Sequence, residues 1–327
     1  MAPRSGLSRA GESGSAAVRG TMLIAVAVAC VIAVMHLNSL EAAVMSVADM
    51  APPLASPTSG VLTSPSPVPE TPAPASMAKA AAPGTAAGTC VAFPALRNPS
   101  RQSVFVDAGH GGPDPGVIGE AGGAPVMEKA VTLTVAKRLA PLLQNHGYRV
   151  IMSRTTDSLV AVNPAASGHL TADDIRRDLL TRIACANAAG ANLLVSIHFN
   201  GLVDPSIGGS ETFYDSARPF AASNRRLAID LQRSITSALG TANLGVWPDD
   251  ENVGPALSAA GSVYGHLIEL GPPSPGYVDN PSRMPGALVE PLFLSNAIDA
   301  RDAADPAVQQ RIAVAIDSGI RGYFAGA

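Results

Sequence analysis

From residue 101 to the C-terminus, short apolar runs alternate with stretches of helical periodicity, and that alternation leaves few folds open. Strand-like runs fall at Val104–Asp107, Tyr148–Met152, Asn192–His198, Glu211–Tyr214, Val263–Glu269 and Ala287–Glu290. Helical patterns cover about 127–146, 173–189, 219–239 and 306–322. Strands interleaved with helices predict parallel pairing, with helices packed on the faces of the sheet. The expected fold is α/β: a single domain with a central, largely parallel, twisted sheet of about six strands flanked by helices. In the first helix Leu133, Ala136, Leu139 and Leu143 form one apolar stripe and Gly147 is placed to cap its end. Pro141 inside it predicts a kink or an early stop. Thr171 is the N-cap expected for the second helix, with Asp173 and Asp174 at the positive end of its dipole.

The first hundred residues read differently. Arg4, Arg9 and Arg19 precede an unbroken apolar run from Met22 to Met35, which is shorter than the roughly 20 residues of a full span. A small-x-small site, Ser46-Val-Ala48, lies some way beyond it. Residues 1–48 are therefore expected to be a signal peptide or an uncleaved signal anchor, the latter tethering the protein to a membrane through residues 22–35. Both readings export the rest of the chain to the cell envelope or the exterior. Residues 49–100 read as a linker, rich in Pro, Ala, Ser and Thr up to residue 89 and almost uncharged there. About 40 such residues, fully extended at about 3.1 Å each, would reach on the order of 100 Å. Residues 101–327 are the expected catalytic domain.

Charge and cysteine usage set further limits. A net charge of −4, a pI near 5.8 and no basic stripe give no surface for nucleic acid. Cys30 is an apolar filler of the leader. An oxidising compartment permits a bridge between Cys90 and Cys185, but Cys185 falls in a helical pattern and reads first as a buried core residue.

The chemistry-bearing residues sit at the ends of these elements. His110 lies in Ala108-Gly-His-Gly-Gly, just past the first strand, and His198 closes Leu193-Leu-Val-Ser-Ile. Active sites of parallel sheets gather beyond the carboxyl ends of strands, which is where both histidines fall. Glu128 opens the first helix. Each has a bland reading: a histidine in a tight turn, a core histidine, a capping glutamate. Together two imidazoles and one carboxylate match the three protein ligands of a catalytic Zn²⁺ with one position left for water. Such an ion makes hydroxide available near neutral pH and points to hydrolysis. A phosphate loop is a poor alternative, because no GxGxxG or GKS/GKT is present. His36, His146 and His169 are weaker candidates, and His266, alternating with Glu269, reads as structural first. A zinc hydrolase also needs a carboxylate that does not bind the metal. Glu269 and Glu290 both end strand-like runs, and spacing alone does not separate them.

The chain resembles a known family over roughly residues 102–325: the zinc-dependent N-acetylmuramoyl-L-alanine amidases of the Amidase_3 type, which cut peptidoglycan. Phe105-Val-Asp-Ala-Gly-His-Gly-Gly-Pro-Asp-Pro-Gly116 looks like the family's opening strand and first metal histidine, and Glu128-Lys129 like its metal glutamate. Tyr148-Arg-Val-Ile-Met-Ser-Arg-Thr-Thr-Asp157 resembles its second strand. Arg182-Ile-Ala-Cys-Ala-Asn187 followed by Leu194-Val-Ser-Ile-His-Phe-Asn200 resembles the helix and strand that bring the second histidine. Pro285-Gly-Ala-Leu-Val-Glu-Pro-Leu-Phe-Leu-Ser-Asn296 fits the closing Pro-x-x-Leu-Val-Glu-Leu-Gly-Phe-x-x-Asn run throughout its length, whereas Leu267-Ile-Glu-Leu-Gly271 copies only the central letters. The resemblance therefore places the catalytic glutamate at Glu290 and leaves Glu269 as a decoy. Pro291-Leu292 departs from the family's Leu-Gly and puts the loop's approach to substrate in question.

What the resemblance implies is Zn²⁺ held by His110, Glu128 and His198, with hydrolysis of the bond between N-acetylmuramic acid and the L-alanine of the stem peptide. The expected protein is a monomer whose substrate is peptidoglycan. Segments 155–172 and 270–286 are expected to shape the site. Two other readings stay open: a zinc peptidase acting on the stem peptide, and a catalytically impaired peptidoglycan-binding or regulatory homologue.

Overall fold

Every residue of Ser103–Ala108 is buried, so this strand (β3) needs neighbours on both edges and cover on both faces. A computed structural model, describing residues 78–79, 84–162, 170–251 and 264–326, shows how it obtains them. The other strands are β1 (Ala78–Lys79), β2 (Thr89–Phe93), β4 (Ile118–Ala121), β5 (Ala124–Met127), β6 (Arg149–Arg154), β7 (Leu193–Ile197), β8 (Ser210–Tyr214), β9 (Asn243–Pro248) and β10 (Gly286–Glu290). The helices are α1 (Glu128–Asn145), α2 (Ala172–Ala188), α3 (Ala221–Leu239), α4 (Ala297–Ala304) and α5 (Pro306–Ala325).

Eight strands form one sheet in the order β1-β2-β6-β3-β7-β10-β8-β9. The four central strands, β6, β3, β7 and β10, run parallel, as does β9 on β8. The pairings β1–β2, β2–β6 and β8–β10 are antiparallel. Side chains sort by the two-residue period of the strand. Val104, Val106 and Ala108 join Val150, Met152, Leu193, Val195, Ile197, Ala287 and Val289 on the face covered by α1, α3 and α5. Phe105, Ile151, Leu194 and Leu288 face the other way, against Cys185 and Ala186 of α2. The register puts Phe105 beside both Ile151 and Leu194. The carboxyl ends of β3, β7 and β10 therefore lie side by side, and the site is built there.

The α/β fold with a largely parallel central sheet is the one expected from sequence, with eight strands among the described residues rather than about six. The sheet also takes in residues before 101. Thr89–Phe93, inside the span read as linker, pairs with β6 because its short apolar run supplies the neighbour that β6 needs. β9 was unexpected because it is an edge strand with a weak, half-exposed pattern. Val263–Glu269 is not a strand: Val263 lies outside the described residues, and Tyr264–Leu270 forms turns, with Leu270 and Gly271 donating to the Leu267 carbonyl at 3.0 and 2.8 Å. Its apolar residues are buried by packing, Ile268 against Ile183 and Val278, and not by strand pairing. Helix α1 continues past Pro141, whose side is exposed, to Asn145. Thr171 and Asp174 form a capping box, each side chain bonding the other's backbone N–H. Cys90 and Cys185 are joined by a disulfide across a Cα separation of 5.8 Å, so the first reading of Cys185 as an unbridged core residue is corrected. Among the described residues no helix is long and apolar enough to cross a membrane. The leader, its run 22–35, His36, most of the linker and His169 lie outside the described residues.

Candidate metal centre

β3 ends at Ala108, and the next residues turn sharply: His110 itself has φ +61°. Backbone of this kind is disfavoured for a residue with a Cβ. Two buried arginines hold it. Arg154 donates to the carbonyls of Ala108 and Gly109, both at 2.9 Å, and Arg182 to those of Ala108 and His110 at 2.8 and 2.7 Å. Three successive carbonyls are thus bound by charged donors. Gly109 is required for a different reason: a Cβ there would stand 2.4 Å from the His198 ring. Gly116 leaves room for the glutamate in the same way, since a Cβ would meet Glu128 Oε2 at 2.4 Å.

The structure brings His110, Glu128 and His198 together, with donor atoms all within 4.8 Å of one another. The Glu128 carboxylate is buried between the rings: Oε2 lies 3.0 Å from His110 Nε2 and Oε1 lies 3.0 Å from His198 Nδ1. Backbone N–H groups of Val117 and Phe199 donate to the same two oxygens, at 2.8 and 2.9 Å. They fix the carboxylate plane. Burial works against charge here, but the neighbours outweigh it: Glu128 and Asp114 push His110 up to about 10, and the two histidines hold Glu128 well below the usual carboxylate range. The charged forms are mutually stabilised.

Two imidazole nitrogens and one ionised carboxylate converging at this range fit a divalent ion of the zinc kind, with a further position open toward the cavity. His110 Nδ1 lies 2.8 Å from Asp114 Oδ2, so a proton placed on Nδ1 leaves Nε2 as the ligating nitrogen. Asp114 was not singled out in the sequence, because Pro113-Asp-Pro115 reads as an ordinary turn.

A cavity of about 320 Å³ opens over these groups, and both glutamate candidates line it. They differ in their partners. Glu269 is buried and accepts a bond from Ser196 Oγ at 3.0 Å, beside Asp107. Burial and Asp107 push it up to about 8 against the opposing pull of Arg182. Arg182 is itself committed, to Asp107 at 2.7 Å and Asp178 at 2.8 Å. Glu290, at the end of β10, leaves Oε2 buried without a hydrogen bond among the described residues. Burial, then the Glu128 and Glu211 carboxylates, raise it well above its ordinary value. The Pro291-Leu292 departure is accommodated: Ser210 Oγ donates to the Pro291 carbonyl at 2.6 Å, and the Asn200 N–H donates to that of Leu292 at 3.0 Å. Leu159 of segment 155–172 and Ile175 and Leu179 of α2 give the cavity an apolar wall. Segment 270–286 does not line it.

A three-donor centre at the carboxyl edge of a parallel sheet, beside a cavity holding a carboxylate without a hydrogen bond at one oxygen, defines a hydrolase domain. The chain belongs to the N-acetylmuramoyl-L-alanine amidases, whose family model matches residues 104–322. It is 31% identical over 230 residues to the N-acetylmuramoyl-L-alanine amidase LytC of Bacillus subtilis, covering 70% of this chain and 37% of that protein. It is 30% identical over 226 residues to the germination-specific N-acetylmuramoyl-L-alanine amidase of the same organism, covering 69% of this chain and 81% of that one. Among solved structures it is similar to the CwlD amidase of Clostridioides difficile, determined in complex with the GerS lipoprotein, at 25% identity and a TM-score of 0.54. That match covers 69% of this chain and all of the CwlD chain.

Proposed function

We propose that this protein hydrolyses the amide bond between the lactyl group of N-acetylmuramic acid and the L-alanine of the peptidoglycan stem peptide. The observation that carries the reading is the convergence of His110, Glu128 and His198 beside Glu290 in a chain of the amidase family. His110, Glu128 and His198 would hold Zn²⁺, which when bound supplies Lewis-acid polarisation of the amide carbonyl and acidifies water. Glu290 takes the water's proton and returns one to the leaving amine; its raised proton affinity suits that exchange. Asp114 keeps the proton on His110 Nδ1. The apolar wall limits water around the scissile bond.

The substrate places the work in the cell envelope, with residues 22–35 serving as a signal core or a membrane tether and the enzyme acting as a monomer. The test is mass spectrometry of purified peptidoglycan incubated with the full chain, with and without chelator. Free stem peptides beginning at L-alanine, lost on chelation and restored by Zn²⁺, are expected. Cleavage within the stem would make it a peptidase instead, and no product with the metal bound would mark an impaired homologue.

A further inference from the structure

A second cluster stands apart from the His110–Glu128–His198 set. Asp215, just beyond β8, and Asp249, just beyond β9, are both fully buried and meet the ring of His266. His266 Nδ1 lies 2.9 Å from Asp215 Oδ2 and 3.2 Å from Asp249 Oδ1. Each carboxylate spends its other oxygen on backbone: Asp215 Oδ1 accepts from the Ala217 N–H at 2.9 Å, and Asp249 Oδ2 from the Leu267 N–H at 2.9 Å. One oxygen of each is thereby aimed at a common point.

Hydrogen bonding there is incomplete. A single Nδ1 proton cannot serve two carboxylates, and Asp215 Oδ2, although near the ring, makes no hydrogen bond among the described residues. The nearby cation, Arg218, is turned elsewhere and donates to the carbonyls of Gly271 and Ser282. The Tyr264 hydroxyl donates to the Pro272 carbonyl and not to either aspartate. Two buried like charges at this range are costly unless a proton or a cation sits between them.

We propose that Asp215, Asp249 and His266 form a second divalent-cation site, taking a first-row ion such as Zn²⁺ or Mn²⁺ through two carboxylate oxygens and one imidazole nitrogen. The donor atoms fall within 4.8 Å of one another, and mixed N/O donors suit ions of this class. Backbone N–H groups orient both carboxylates, the outer support that ligating carboxylates ordinarily have. The site is structural. His266 leads directly into Leu267, Ile268 and Glu269, which line the catalytic cavity, so the ion ties that wall to the ends of β8 and β9. The inference does not depend on which bond the protein cleaves.

The test is metal stoichiometry by elemental mass spectrometry on the full-length protein, dialysed after exposure to Zn²⁺ or Mn²⁺. Wild type should retain two equivalents of Zn²⁺ per chain, and Asp249→Asn and His266→Gln one each. His110→Ala should lose the other equivalent and keep this one. Stripping the remaining ion from His110→Ala should lower its Tm, a readout independent of activity. One equivalent in the wild type that His110→Ala loses and Asp249→Asn and His266→Gln keep, or two retained in both Asp249→Asn and His266→Gln, overturns the proposal. If Asp249→Asn does not fold, His266→Gln and the wild-type count decide.

Discussion

His110 Nδ1 and Asp114 Oδ2 lie 2.8 Å apart, and this contact leaves Nε2 as the nitrogen turned toward Glu128. The histidine sits in a strained turn, so its ring depends on a partner for orientation. Replacing Asp114 by Asn keeps the size but removes the acceptor charge that favours a proton on Nδ1. Loss of such an outer partner typically lowers metal affinity by about 10–100-fold. Competition with a chromophoric chelator should show a decrease of that order in Asp114→Asn, with the fold intact by circular dichroism. Unchanged affinity would mean that the ring is held by packing alone.

Glu290→Ala is expected to lower the rate by on the order of 10²–10⁴ while the ion stays bound, the loss typical of removing a general base. Its Oε2 has no hydrogen bond to give up, so the cost should fall on chemistry and not on folding. Glu269→Ala should act differently. It breaks a buried contact with Ser196 next to the Asp107–Arg182 pair, and its main effect should be on stability. Turnover of purified muropeptides alongside thermal melts separates the two. An active Glu290→Ala with an inactive, folded Glu269→Ala would exchange their roles.

The same carboxyl should be a liability for folding. Burial, reinforced by Glu128 and Glu211, raises Glu290 well above its ordinary value of 4.5. A group whose folded pKa exceeds its unfolded pKa binds its proton more tightly when folded, so stability falls as pH rises above the unfolded value. Below about 4.5 both states are protonated and there is no cost. Glu290→Gln should therefore melt higher than wild type at pH 7 in the chelator-treated protein. That gap should close as the pH is lowered towards 4. A gap that stays constant across this range would show that Glu290 ionises normally.

Some residues around the site are announced by the chain and others are hidden in it. His110, Glu128 and His198 were legible because each follows a recognisable element boundary, and the parallel sheet brings the strand ends together. Arg154 and Arg182 were not, although they hold the His110 turn: buried arginines run against the usual surface preference, and nothing local marks them. Composition hid β2 because its apolar run follows a Pro- and Ala-rich stretch. Alternation misled at 264–269, where Ile268 is buried against α2 and Val278 and not by strand pairing. Local pattern reports periodicity well, but it does not report which long-range partner supplies a missing bond.

The cross-link between β2 and α2 shows how such a partner can matter for stability. Cys90 and Cys185 are fully buried and 95 residues apart in sequence. Closing a loop of that length in the unfolded chain is worth about 4–5 kcal/mol by the chain-entropy account. Both thiols would remain packed after reduction, so most of the hydrophobic contribution should survive and the loss should come from the freed unfolded state. Cys90→Ser with Cys185→Ser would add two polar groups to the core, which makes Cys90→Ala with Cys185→Ala the cleaner pair. Urea unfolding of the oxidised protein, the reduced protein and this double variant should show both reduced forms less stable, by no more than about 5 kcal/mol. A difference below about 1 kcal/mol would mean that the unfolded chain is already restrained, or that the native bridge carries opposing strain.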